Sequence, residues 1–226
     1  MKAVVFDMDG VLFDTERLCN DGWIKVAEER GIDGMEQISM ECIGLNAADS
    51  KAHVLKRLGP DFPYDDFKGE VSKWFWQEIR RAGIPVKEGV RELLAFLKEQ
   101  GYLIGLASST RYESVTECLR LGELTEYFSV IVTGDMVEHS KPLPDIYLLA
   151  CEKLDVEPAE AYAIEDSPNG IRSAYAAGMK PVMVPDLIAP DGEMEKLSFM
   201  IYKDLREFTN DLREQPDAAD FAKSQE

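Results

Sequence analysis

Basic residues are scarce beside acidic ones: 25 Lys and Arg face 43 Asp and Glu, a formal net charge of −18 over 226 residues. Nucleic-acid affinity is built mainly on neutralising phosphates with lysine and arginine, so a nucleic-acid partner is not expected. Cysteine is sparse too. Cys19, Cys42, Cys118 and Cys151 form no C-x-x-C and no paired metal-type spacing, which argues against a zinc ribbon and against a disulfide framework. The two histidines, His53 and His139, stand in no ligand pattern and read as structural or exposed. Long apolar runs are missing as well. Ala3-Val4-Val5-Phe6 is cut off by Asp7 and Asp9, short of a signal peptide's apolar stretch, and nothing approaches the roughly 18 residues of a spanning helix. A soluble, cytoplasmic protein with no membrane partner is the expectation. What remains is 45% hydrophobic and 9% aromatic, too apolar for a disordered chain. The length fits one large domain or one domain carrying an insertion, and no repeat array.

Short continuous apolar runs mark candidate strands at Ala3 to Phe6, Tyr102 to Ala107, Val130 to Val132, Ala161 to Ile164 and Pro181 to Val184. Runs without alternation fit strands buried on both faces. Helical patterns around 89–99, 111–121, 144–154 and 168–177 separate them, which predicts β-α-β repetition and a parallel sheet. The first interval is too long for one crossover. Residues 15–81 hold helix-like stretches at about 15–30, 46–58 and 65–82, punctuated by Gly31, Gly34, Gly59-Pro60 and Pro63, with no convincing strand. They read as an inserted helical domain hinged at Asp14-Thr15-Glu16 and Gly83-Ile84-Pro85, two connections that close together like a lid on a stem. The segment after about Asp211, with Pro216, is polar and reads as a frayed tail.

The first strand runs into Asp7-Met8-Asp9-Gly10. Residues i and i+2 of a strand point the same way, and ligands of open parallel sheets bind beyond the carboxyl ends of the strands, so both carboxylates can reach one ligand. In isolation D-x-D-G is an ordinary turn. A calcium loop fails because Val11 and Leu12 stand where it needs an acid or amide and a glycine. Three later strands also end in useful chemistry. Ser108-Ser109-Thr110 offers hydroxyls and helix-start amides to an anion, although alone it is an ordinary cap. In Lys141-Pro142-Leu143-Pro144-Asp145 a proline forces the lysine out of helix and a second proline opens the next one. Glu165-Asp166 precedes a capping Ser167 and Pro168 at the first helical position. Converging on one sheet edge, these sites hold a nucleophile candidate, a second carboxylate, an anion-binding hydroxyl, a fixed cation and an acidic metal site. Those are the parts of a phosphoryl transfer.

D-M-D-G-V-L-F-D-T-E, L-A-S-S-T, S-K-P-L-P-D-I-Y and E-D-S-P-N-G-I-R-S-A-Y-A-A-G, in that order, resemble the four motifs of the haloacid dehalogenase superfamily, in its branch similar to β-phosphoglucomutase and small sugar phosphatases. The resemblance spans the chain to about Pro185 and is weakest in the insert. It implies an α/β fold: a three-layer Rossmann-like core with a parallel sheet, residues 1–14 and 85–226, and an α-helical cap, residues 15–84. It implies that Asp7 attacks phosphorus and forms an aspartyl-phosphate, and that Asp9 protonates the leaving oxygen and then activates water. Mg²⁺ is implied as the cofactor, held by Asp7, the main-chain carbonyl of Asp9 and Asp166, with Glu165 supporting it directly or through water. Ser108 and Lys141 are implied to hold the phosphoryl oxygens, beside Ser109. An acid at Asp9 fits branches that cleave phosphate esters rather than carbon-halogen bonds.

Departures in the cap separate hydrolysis from mutation. Where the mutase has a histidine twelve residues after the nucleophile this chain has Cys19, and where it has an arginine soon after a cap glycine this chain has Ala47, after Gly44-Leu45-Asn46. Without those donors a bisphosphate intermediate is poorly held, and water completes the reaction. The expectation is therefore a phosphatase of small phosphorylated metabolites, sugar phosphates first, acting as a monomer. A β-phosphoglucomutase-type mutase is the alternative, and a retired binding protein on the same fold is a third reading. Asn46, Lys73 and Arg80 are polar candidates in the cap. Adjacent Trp74, Phe75 and Trp76 cannot share one helix face, so none is assigned to substrate.

Overall fold

The computed structural model describes residues 3–43, 45 and 47–214. Asn46 and the tail with Pro216 lie outside the described residues. The core sheet is assembled from β1 (Ala3–Phe6), β2 (Leu103–Ser108), β3 (Val130–Thr133), β4 (Ala161–Glu165), β5 (Lys180–Met183) and β6 (Met200–Ile201). All pairings are parallel, in the order β3-β2-β1-β4-β5-β6. Phe6 faces Leu106 on one side and Ile164 on the other, so β1 is central and its last residue is level with the ends of β2 and β4. The strand order reverses between β1 and β4. The crevice beyond their carboxyl ends is where an open α/β sheet places its ligand.

Alternation along β1 divides the core between two helical layers. Val4 and Phe6 point to one face and pack with α5 (Val90–Glu99) and α6 (Tyr112–Leu121). Ala3 and Val5 point to the other, towards α7 (Asp145–Leu154) and α8 (Pro168–Ala176). The result is a three-layer, Rossmann-like α/β core. Beyond it come the short α9 (Met194–Leu197), the two-residue β6 and α10 (Leu205–Glu214).

Between β1 and α5 lie α1 (Thr15–Arg30), α2 (Met35–Glu41), α3 (Ala47–Leu58) and α4 (Tyr64–Ala82). They bury an apolar cluster of their own, including Trp23, Val26, Ile38, Val54 and Phe67. Gly22 lets α1 and α4 meet closely, because a Cβ there would stand 2.8 Å from the Trp74 ring. α1 ends at Gly31, whose left-handed φ of 66° and the Ile32 N–H to Ala27 O bond form a Schellman turn. Two connections join the insert to the core side by side: Asp14 N–H donates to Pro85 O at 2.9 Å and Lys87 N–H to Leu12 O at 3.0 Å.

The structure departs from the sequence reading in four places. α2 and β6 are additional. α10 runs through Asp211 to Glu214, burying Leu205, Phe208 and Leu212 on one face, where a frayed tail was expected to begin; the rest of that tail lies outside the described residues. Ser108-Ser109-Thr110 does not open a helix, since Ser108 ends β2 and α6 starts at Tyr112 with Arg111 as its cap. Among the described residues no helix is long and apolar enough to cross a membrane.

Candidate active site

The end of β1 is pinned before the chain turns away. Asp7 N–H continues the sheet by donating to Ile164 O at 2.9 Å. Gly10 then turns with φ +79°, and a Cβ there would lie 2.2 Å from Asp166 Oδ2, so only glycine lets this turn close over the acid. The Asp7 carboxylate faces Lys141, whose side chain is 4% exposed. Lys141 Nζ donates to Asp7 Oδ1 at 2.6 Å, to Glu165 Oε1 at 2.6 Å and to the Ala107 carbonyl at 3.0 Å. Its three protons are thereby placed, and the cation is tied to β1, β2 and β4 at once. Burial pulls the ammonium's pKa down, but the charges of Asp7 and Glu165 outweigh it and hold Lys141 above its ordinary value.

Glu165 is fully buried and already engaged. Tyr147 OH donates to Oε1 at 2.6 Å and Ser167 Oγ to Oε2 at 3.3 Å. Gly170 makes room for it, since a Cβ there would meet the Glu165 carboxyl carbon at 1.8 Å. Ser167 caps α8 by accepting from Gly170 N–H at 3.1 Å, with Pro168 following. The capping reading and the acidic reading of this segment are therefore both right, and they use neighbouring side chains.

Asp9 lines the cavity with Asp7 and has its own partners. Thr15 Oγ1 donates to Oδ1 at 2.5 Å and Thr110 Oγ1 to Oδ2 at 2.9 Å. Burial raises the Asp9 pKa, while hydrogen bonds from Thr15, Thr110 and Ser108 and the charge of Lys141 pull it back. Ser108 is fully buried, its Oγ accepting from Thr110 N–H at 3.1 Å.

Asp7, Glu165 and Asp166 each offer a carboxylate oxygen within 4.8 Å of one another. Oxygen donors of this kind suit a hard divalent cation such as Mg²⁺. Two further oxygens bear on the fit, because Glu16 Oε2 and Asp186 Oδ2 are buried with no hydrogen-bond partner. Burial, and then the charge of Glu16, pushes Asp166 well above the usual carboxylate range. Burial, then the charges of Asp9 and Asp7, does the same to Glu16. One buried lysine among this many carboxylates leaves uncompensated negative charge, and a divalent cation is what would offset it.

Above this floor is a cavity of about 400 Å³. Asp7, Asp9, Lys141 and Asp166 line its base, and Ser109, Thr110 and Arg111 one wall. The insert supplies the rest, including Cys19, Ala47, Lys68, Phe75 and Trp76. Of the sequence candidates, the structure gathers Asp7, Asp9, Lys141, Glu165 and Asp166 with Ser108 beneath and Ser109 on the wall. It leaves Lys73 and Arg80 exposed and off the wall. Trp74 packs against Gly22, whereas Phe75 and Trp76 face the cavity. His53 and His139 pair with Glu41 and Asp145, away from the site. Thr15 and Glu16 were named from the sequence only as a hinge and as part of the first motif, Tyr147 only as the last residue of the lysine motif, and Lys68 not at all. Thr15 and Glu16 close the first acidic motif and Tyr147 the lysine motif, so all three carried a signal; Lys68, in the second turn of α4, carried none.

Residues 4–184 match the family described as haloacid dehalogenase-like hydrolase. The chain belongs to that family. A phosphorylated carbohydrates phosphatase of Thermotoga maritima is 36% identical over 184 residues, 80% of this chain and 84% of the relative. A β-phosphoglucomutase of Bacillus subtilis is 32% identical over 197 residues, covering 81% and 83%. The crystal structure of CbbY from Rhodobacter sphaeroides in complex with phosphate superposes with a TM-score of 0.78 at 28% identity, covering 92% of this chain and 96% of that one. Family and relatives together mark this haloacid dehalogenase-like chain as an enzyme of the phosphatase type.

Proposed function

We propose that this enzyme is a Mg²⁺-dependent phosphomonoesterase of small phosphorylated metabolites, sugar phosphates first, working through an aspartyl-phosphate at Asp7. One observation carries the reading: Asp7 stands at the sheet's switch point between a buried lysine and the paired acids Glu165 and Asp166, at the base of a cavity sized for a small ligand. Residues 15–84 serve as the cap over a core of residues 1–14 and 85–226.

Asp7, the Asp9 carbonyl and Asp166 would hold the Mg²⁺. Glu165, its oxygens already taken by Lys141, Tyr147 and Ser167, supports from behind. The ion, when bound, supplies positive charge against the phosphoryl oxygens and the attacking carboxylate. Lys141 restrains Asp7 through Oδ1 and presents a fixed cation to the same phosphoryl group, with Ser108 and Ser109 as hydroxyl donors. An Asp7 oxygen attacks phosphorus and the ester P–O bond breaks. Asp9 gives the departing oxygen its proton; its burial-raised pKa suits an acid. Asp9 then takes a proton from water, the water oxygen attacks phosphorus, and the Asp7 carboxylate and inorganic phosphate are released.

The second reading, a phosphosugar mutase, is favoured by the β-phosphoglucomutase relative. Against it stand Cys19 and Ala47, both on the cavity wall at the places where the sequence departs from the mutase pattern. Phosphate release from a panel of small esters, with and without Mg²⁺, decides between them. Mg²⁺-dependent release that vanishes in Asp7→Asn supports hydrolysis. Conversion of β-glucose 1-phosphate to glucose 6-phosphate without net release, given its bisphosphate activator, would restore the mutase. No turnover in folded protein would overturn both.

A further inference from the structure

Tyr147, in the first turn of α7, is fully buried in the apolar cluster that includes Val5, Val132 and Ala150. A phenylalanine would fill the same space without a polar atom to desolvate. The hydroxyl carried instead donates at 2.6 Å to Glu165 Oε1, the same oxygen that accepts from Lys141 Nζ at 2.6 Å. The ring bears on the lysine too, since Lys141 Nζ lies over it, 5.1 Å from the centroid. One side chain of α7 thus touches both members of the Lys141–Glu165 pair, while Lys141 also donates to Asp7 at 2.6 Å.

We infer that Tyr147 is a positioning residue for the phosphoryl chemistry: its hydroxyl sets how the one buried lysine charge is divided between Glu165 and Asp7. This rests on the phosphatase reading above. Two carboxylates compete for one ammonium at equal distance, and the Glu165 side chain is 1% exposed against 11% for Asp7. A carboxylate cut off from water attracts a cation more strongly than one at an open cavity, so without another donor Glu165 would draw the lysine away from Asp7. The phenol is that donor. Its charge-assisted hydrogen bond satisfies part of Glu165, whereas Ser167 Oγ reaches the other oxygen only at 3.3 Å. Lys141 is thereby left to restrain Asp7 and to meet the phosphoryl oxygens, with the ring face steadying the ammonium by cation-π attraction. Tyr147 does not line the cavity; it acts through Glu165 and Lys141.

The test compares the wild type with Tyr147→Phe, which keeps the ring and removes the hydroxyl, and with Thr209→Val, which removes a buried hydroxyl that donates to the Leu205 carbonyl within α10 at 2.7 Å. Phosphate release from the ester panel with Mg²⁺, melting midpoints, and crystal structures of the metal-free proteins are measured. Tyr147→Phe should lower kcat by about tenfold or more with KM within about twofold, the pattern of an interaction stronger in the transition state than in the bound substrate. The distance from Lys141 Nζ to Asp7 Oδ1 should lengthen from 2.6 Å to beyond the hydrogen-bond range of about 3.2 Å. Thr209→Val should lower the melting midpoint and leave kcat within about twofold. A kcat for Tyr147→Phe within about twofold of wild type, an unchanged Lys141–Asp7 distance, or an equal loss of kcat in Thr209→Val would overturn the inference. Absence of phosphate release from every ester by the wild type would overturn the phosphatase reading instead, and the crystallographic distance would then decide the role of Tyr147.

Discussion

The floor of the cavity and the wall supplied by the insert are built on opposite principles. The floor hangs from strand ends: Asp7 follows β1, Ser108 ends β2 and Glu165 ends β4, and the sheet's hydrogen bonds hold all three in register. Its charged groups are mutually engaged, with Lys141 shared between Asp7 and Glu165. The wall comes from faces of the insert's helices, which present a thiol, hydroxyls, aromatic rings and Lys68, whose ammonium lies over the Trp23 ring. A geometry that makes and breaks bonds to phosphorus tolerates little displacement, and the sheet provides it. A surface that selects one metabolite from many has to vary without disturbing the chemistry, and separately packed helices with their own apolar cluster allow that.

If the floor is one coupled unit, removing its cation should have the largest effect. Lys141→Met leaves Asp7 and Glu165 buried and facing each other. A loss of about 3–5 kcal/mol in stability is expected, together with loss of phosphate release, both readable by thermal melts and a phosphate assay. A small change in either would show that the floor's charges are not coupled.

The next effect sharpens the same point through pH. Burial raises Asp7 from 3.8 to about 8 despite the pull of Lys141. The folded, metal-free chain therefore binds more protons than the unfolded chain across that window, and its stability should fall as pH rises through it and level off above. Mg²⁺ at about a hundred times its Kd should return about 2.7 kcal/mol at pH 8. Melting midpoints against pH, with and without Mg²⁺, check both signs.

Thr15 belongs to the insert and Thr110 to the core, yet both donate to Asp9. Their loss probes the seam between the two regions. Thr15→Val and Thr110→Val should each lower kcat by about tenfold. Each also removes a bond that lowers the Asp9 pKa, so the acid's apparent pKa in the kcat profile should move up. The smallest effects belong to the insert's outer face. Lys73→Ala and Arg80→Ala, exposed and off the wall, should leave KM within about twofold.

The same contrast explains what was legible in the sequence. Strand-end chemistry is local: a short apolar run followed by Asp7-Met8-Asp9-Gly10 or Glu165-Asp166 places its carboxylates beyond the sheet edge almost by itself, and the structure gathers them there. Helix-borne features depend on rotation about a helix packed by distant residues. Lys68 and Lys73 are five residues apart on α4, yet one faces the cavity and the other solvent, and charge type does not distinguish them. Asp7 and Asp9 line the same cavity, with an isolated bridge between Asp9 and Phe13 following the strand. α10 was missed because its apolar face of Leu205, Phe208 and Leu212 is diluted by five charged residues in ten.

The central claim is that phosphorus passes through Asp7. Mixing the enzyme with a rapidly hydrolysed ester and Mg²⁺, quenching within milliseconds, reducing with borohydride and mapping peptides by mass spectrometry reads it directly. The account predicts reduction of the acyl phosphate to homoserine at Asp7, and none in Asp7→Asn. Turnover with an unmodified Asp7, or modification of another carboxylate, would contradict it.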